Sequence, residues 1–370
     1  MKLTRFLLAA TLALPLAGVA AAQSIVSEPL GFNKSPCPAS SDTIVGVPFR
    51  PNGSQQGALA AAPDTTTVPG SAILSVAGSP GFTAGAFADT HYVKFTSGAI
   101  DGRNYPVTAN TADTLTVVLN GDDVSAAAAD DGILVAAYWT LDLLFPPAQA
   151  TTDPLTTGHA IVASINALGT GRRTEVLLPD QVSTGANLAP NQKFYIYNGA
   201  WRKVGNPSSE NHGPTPLLPD TYFIVRHSVN VTAATTYKCA GEVELGSLAI
   251  PLSTQTTVTQ DNFVAIPRPI DVTITDLGLV PPAFVASTSH LGTGRKDQLL
   301  VFNNELQARN KAASAVYYYY AGDWYKFGTP GVTFNDVVIP AGTGFMVRKA
   351  KTADGATVFW NNTATYSNEP

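Results

Sequence analysis

The sequence predicts an all-β protein made of two related β-sandwich or barrel-like units, the first interrupted by an inserted small β domain. Three observations carry this expectation. One segment is written twice: Leu168-Gly169-Thr170-Gly171-Arg172 and Leu291-Gly292-Thr293-Gly294-Arg295 each lead into an aromatic strand, a glycine turn and a tryptophan strand. In both copies the tryptophan, Trp201 or Trp324, follows the opening leucine by 33 positions. The chain also holds 31 glycines and 27 prolines, which leaves little room for long helices. Between these breakers, short β-branched and aromatic runs alternate with turn residues.

Met1–Ala22 reads as a secretory signal peptide, with Lys2 and Arg5 ahead of an apolar run and Ala20-Ala21-Ala22 as the cleavage site. No later stretch approaches the roughly 20 apolar residues of a membrane helix. The mature chain is therefore expected outside the cytoplasm, secreted, surface-held or periplasmic. Without the signal, 20 basic residues face 27 acidic ones. That balance argues against a nucleic-acid partner, which calls for clustered Lys and Arg. Charged residues make up only 13% of the chain, a composition that suits secreted β proteins and surface assemblies.

The first unit is expected over residues 23–241 and the second over 242–370. Asp42–Pro48 has its counterpart in Asp261–Pro267. The Leu218-Pro219 pair before Phe223-Ile224-Val225-Arg226 matches Ile339-Pro340 before Phe345-Met346-Val347-Arg348. The first unit carries about 96 extra residues, roughly 52–147, too many for a structureless loop. Strands are expected there at Thr90–Thr96, Asn104–Thr108, Thr114–Leu119 and Ile133–Trp139, with a hairpin signal at Asn120-Gly121. A compact barrel or meander fits them. Helix is confined to one turn at Ala126–Ala129 and a short stretch at Thr156–Leu168. Cys37 and Cys239 sit in an exported chain with no basic cluster to activate a thiolate, so a disulfide between them is expected.

The residues Ser97-Gly98, Gly102-Arg103 and Asn110-Thr111-Ala112-Asp113-Thr114-Leu115-Thr116, then Trp139-Thr140-Leu141 and Phe145-Pro146, form a distinctive series. Together with the Asp-x-x-Val-x-x-Pro element and the terminal Gly344-Phe345-Met346-Val347-Arg348, it resembles an uncharacterised group of secreted bacterial proteins. The resemblance covers most of the mature chain. It implies export and β architecture, and supplies no catalytic residues.

No motif for chemistry stands out. The Leu-Gly-Thr-Gly-Arg segments invite comparison with an anion nest, but they lack the spacing and lysine of a P-loop. Gly169, Gly171, Arg172, Gly292, Gly294 and Arg295 read better as tight-turn framework, with Trp201 and Trp324 behind them. The histidines His91, His159, His212, His227 and His290 show no metal-ligand spacing, and Asp122, Asp123, Asp130 and Asp131 lack that of a calcium loop. No cofactor and no enzymatic activity are expected. The candidate contact face is aromatic. Two-residue turns would set Ile196 opposite Trp201 and Tyr195 opposite Arg202, and Tyr319 opposite Trp324 and Tyr318 opposite Tyr325. Alternation then assigns Phe194, Ile196, Trp201, Tyr317, Tyr319 and Trp324 to the core. Tyr195, Tyr197 and Arg202, with Tyr318, Tyr320, Tyr325 and Phe327, fall on the other face, where they could meet another copy of the chain, a surface protein or a glycan.

Overall fold

The computed structural model describes residues 29–152 and 159–366. The expected signal peptide lies outside the described residues, and so does part of the stretch 156–168; its described remainder, 159–168, holds bends and no helix. The architecture is all-β, and no helix among the described residues is long and apolar enough to cross a membrane.

The two aromatic hairpins have the register that their turns require. Asn198-Gly199 and Ala321-Gly322 both take positive φ at both positions, the type I′ geometry that follows strand twist. Ile196 pairs with Trp201 and Tyr195 with Arg202; Tyr319 pairs with Trp324 and Tyr318 with Tyr325. Each hairpin is the edge of a five-stranded antiparallel sheet. The first runs Ala200–Lys203, Gln192–Tyr197, Thr174–Leu178, Phe223–His227, Asp42–Val45. The second runs Asp323–Lys326, Ala315–Tyr320, Gln298–Val301, Gly344–Lys349, Gln260–Ala265, the same order of strands along the chain. Two-stranded ribbons cover them: Leu30–Cys37 with Thr235–Glu242, and Leu248–Leu252 with Val358–Asn362. The alternation places Phe194, Ile196, Trp201, Val176 and Val225 in one core, and Tyr317, Trp324, Leu299 and Val347 in the other. One expected match shifts by a residue: Leu217, not Leu218, takes the buried place of Ile339, each in a short strand pair.

The sheets' other faces meet. Ile44, Tyr222 and Ile224 of the first pack with Phe263, Leu300, Phe302 and Met346 of the second. The polar contacts across this seam are reciprocal. Arg226 holds Asp42 through Nε and Nη2, both at 2.7 Å, and donates to Asn310 of the second unit at 2.6 Å. Arg348 likewise holds Asp261 at 2.6 and 3.0 Å and donates to Asn187 of the first unit at 2.9 Å. Each asparagine returns its backbone N–H to the aspartate at 2.7 Å. The Asp42–Pro48 and Asp261–Pro267 elements are thus seam residues, and their bidentate pairs satisfy carboxylates that would be costly to bury alone.

The inserted sheet has six strands, in the order Gln55–Ala58, Gly132–Ala137, His91–Phe95, Asn104–Asn110, Thr114–Val118, Ser71–Ser75. Its end strands are drawn together by Ala60 N–H to Ser75 O and Ala77 N–H to Ala58 O, both 2.8 Å, so the sheet curls into a half-barrel. Leu74, Val93, Phe95, Val107 and Val117 fill it. Asn120-Gly121 turns with positive φ but makes no hairpin, because the neighbours of Thr114–Val118 are Asn104–Asn110 and Ser71–Ser75. The Ala126–Ala129 stretch forms turns rather than helix. The half-barrel ends before Trp139; Leu141–Leu144, a helical turn capped by Thr140 and unforeseen from sequence, already packs in the first unit's core.

All three bodies meet around residues 242–246. Lys94 of the half-barrel pairs with Glu244 at 2.8 Å, and Arg50 of the first unit reaches Glu244 at 3.2 Å and Glu242 at 3.6 Å. Arg268 of the second unit donates to the carbonyls of Glu244 and Gly246, each at 3.0 Å. Nearby, Ala249 N–H reaches the Gly102 carbonyl at 3.0 Å. Gly102 has φ +86, and a Cβ there would lie 2.7 Å from the Ala249 nitrogen, so only glycine fits this approach.

The expected disulfide is not formed: Cys37 and Cys239 are both free and buried. They lie on paired strands, but Cys37 faces Thr235 while Cys239 faces Asn33. That offset of four residues is about 13 Å along a strand, about twice what a disulfide spans. Burial pushes the Cys37 thiol up to about 11 and the Cys239 thiol up to about 12.

Candidate functional site

The aromatic hairpin of the second unit carries the candidate site. Its strand Asp323–Lys326 is an edge, but the edge is closed to strand addition: Trp324 N–H donates to Asn335 Oδ1 at 2.9 Å, and Phe334 N–H donates to Trp324 O at 2.8 Å. What remains for contact is the side-chain face. His290 stands at its centre, with its ring 4.7 Å from Tyr320 and 4.6 Å from Tyr325, edge-on to both. Its Nδ1 shares a hydrogen bond with Tyr318 Oη at 2.9 Å. The Arg295 guanidinium lies 3.9 Å from the Phe327 ring centroid and 5.8 Å from that of Tyr318, within cation–π range.

Exposure divides the expected face. Phe327 is 57% exposed and Leu291, beside His290, is 74% exposed. Tyr320, Tyr325, His290 and Arg295 are half-buried. Tyr318 is only 1% exposed and Tyr195 only 3%, which corrects their assignment to the contact face. The reason is local. His290, Arg295 and Tyr325 cover Tyr318, and the Arg172 guanidinium lies over the Tyr195 ring at 5.6 Å. Alternation sends both tyrosines away from the core, but it carries no information about what the preceding turn lays over them. Tyr197 and Arg202 are half-buried, and Arg202 is engaged with the carbonyls of Tyr197 and Glu210 at 3.3 and 2.9 Å.

The Leu-Gly-Thr-Gly-Arg segments build this arrangement. In each, the leucine carbonyl accepts from both the second glycine and the arginine: 2.9 and 3.1 Å at Leu168, 3.0 and 3.1 Å at Leu291. These N–H groups are spent inside the turn, so the segments are tight turns that aim an arginine and not nests open to an anion. Gly171 is packed against Asn166 and Gly294 against Ser289.

The two segments then differ in charge. Arg172 is neutralised by Glu175 at 2.6 Å. Gln298 stands at the place of Glu175, opposite Arg348 as Glu175 is opposite Arg226, and Arg295 makes no ion pair among the described residues. Sequence reasoning missed His290 and the release of Arg295. The sequence carried two signals, His290 immediately before the turn and Gln298 at the place of Glu175, but neither tells that the turn folds over the hairpin.

The other polar candidates stand apart from this patch. His227 is fully buried between Thr174 Oγ1 at 2.9 Å and Thr235 Oγ1 at 2.8 Å, and burial brings its pKa down to about 4. His159 bonds the Pro146 carbonyl, and His91 the Thr90 hydroxyl. Asp122 is held by Arg103 at 2.9 Å, and Asp123 caps Ser125. Among the described residues no three His, Cys, Asp or Glu side chains converge to hold a metal. Comparison with protein-family models, with curated proteins and with solved structures finds no match to this chain.

Proposed function

We propose that the protein is an exported, surface-associated β protein that acts by contact and not by catalysis, built as two copies of one unit. Its contact surface is the second-unit patch of His290, Arg295, Tyr320, Tyr325 and Phe327, and its partner is a protein: another copy of the chain or a surface neighbour. One observation carries this reading. Exposed apolar groups, Phe327 and Leu291, border rigid half-buried rings on an edge already closed to strand addition. Aromatic side chains with an arginine are the residues that dominate protein contact surfaces. The matched strand order of the two five-stranded sheets supports the reading of a repeated unit.

Light scattering of the mature chain across a range of concentrations tests it, with Tyr325→Ala/Phe327→Ala as the comparison. Concentration-dependent association that the double variant loses is expected. A wild-type chain that stays strictly monomeric and captures no surface protein would sink the proposal. Arg295 favours one second reading, a glycan ligand. A guanidinium with no carboxylate beside ring faces offers donors and stacking to an acidic sugar. A glycan array with the same double variant separates the two, because only this reading expects binding to acidic glycans that the variant abolishes.

A further inference from the structure

The end of the first sheet opposite its hairpin turn carries a pocket of about 360 Å³ that is separate from the aromatic patch. We propose that this pocket binds an uncharged, largely apolar small molecule. Its volume falls in the range of small-ligand sites. Leu178, Pro179, Leu217, Leu218, Tyr222 and Phe223 supply apolar walls, and no lining residue is charged. An ionic ligand would lose its hydration there with nothing to replace it. The polar groups are amides and hydroxyls, which orient a neutral ligand without demanding charge. Gln181 Nε2 donates to Thr221 Oγ1 at 3.1 Å, and both line the pocket.

The second unit shows that this space is not a necessity of the fold. Val176 and Leu299 hold the same place in their sheets, so Pro179 corresponds to Phe302 and Gln181 to Asn304. Phe302 is buried at the seam, its ring 6.3 Å from that of Tyr222. Asn304 accepts from Ile44 N–H at 2.9 Å and donates to Ile44 O at 2.8 Å. There the strand end is committed to the other unit. In the first unit Gln181 turns to Thr221 instead, and the exposed Val182 and Leu218 stand at the pocket's lip.

Fluorescence titration of the full chain with N-phenyl-1-naphthylamine tests the proposal against 8-anilino-1-naphthalenesulfonate, which has the same rings plus a sulfonate. The neutral dye should bind saturably, and the sulfonated one about tenfold more weakly or worse, a difference of roughly 1.4 kcal/mol. Pro179→Phe, which places the second unit's residue in the pocket, should remove the signal, and so should Leu218→Trp at the lip. Unchanged circular dichroism shows that these variants fold. Tyr325→Ala/Phe327→Ala should bind the neutral dye as the wild type does. The proposal is overturned by an absence of saturable binding, by equal binding of the two dyes, by full binding in both folded pocket variants, or by loss in the patch variant.

Discussion

Replacing Lys349 by methionine should be among the most damaging single changes in the second unit. Lys349 and Asp297 are 1% and 0% exposed, and the ammonium donates to Asp297 Oδ2 and to the Ala283 carbonyl. The carboxylate also accepts from Val285 N–H at 2.6 Å and Ala350 N–H at 2.7 Å. Removing the lysine strands a buried charge with two amide donors, which should cost about 3–5 kcal/mol. Asp297→Asn should cost a similar amount by stranding the ammonium. The first unit solves the same position without charge. Thr174 faces His227 across the ladder, and Thr174 Oγ1 takes Val162 N–H at 3.1 Å as Asp297 takes Val285 N–H. Asp297→Thr/Lys349→His should therefore fold within about 1–2 kcal/mol of the wild type, since replacing both members of a buried pair is far milder than removing one. Urea unfolding followed by tryptophan fluorescence measures this, because Trp324 and Trp360 lie in the same core. Single variants that lose less than about 1 kcal/mol, or a double variant as damaged as the singles, would refute the reasoning.

Three further outcomes are expected. Ala321 sits exposed at φ 51 in its turn, so Ala321→Asn, which copies Asn198, should raise stability by about 0.5–1 kcal/mol in urea unfolding. Iodoacetamide at pH 8 should leave both cysteines of the folded chain unmodified and label both in guanidinium, as read by mass spectrometry, because burial keeps the thiols protonated. His227 is held at about 4 against an ordinary 6.5, so the unfolded chain binds its proton first. The stability it confers is complete above pH 6.5 and falls by roughly 3 kcal/mol as pH drops towards 4; His227→Gln should flatten that part of the urea-midpoint profile.

The hairpins were legible because two local rules agree. A two-residue turn sets the register, and alternation then chooses the face, so Phe194, Ile196, Trp201 and Trp324 reached the core as expected. The half-barrel was legible in part. Its strand beginning near His91 carries a β-branched and aromatic run, whereas Gln55–Ala58 and Ser71–Ser75 lack a strong local signature and are strands by virtue of their ladder partners.

By itself the sequence determined the all-β class and the register of both hairpins, since these follow from turn chemistry and a period of two. Only the tertiary structure decided what lies across each gap. The register of Leu30–Cys37 against Thr235–Glu242 separates the cysteines, and Asn187 and Asn310 reach over the seam to the opposite unit's arginine. The aromatic patch depends on the same kind of fact. Tyr318 left the contact face, and His290 and Arg295 joined it, because a turn distant along the chain folds over the outer side of the hairpin. Such contacts are set by how packed surfaces fit together, and no local window of residues records that fit.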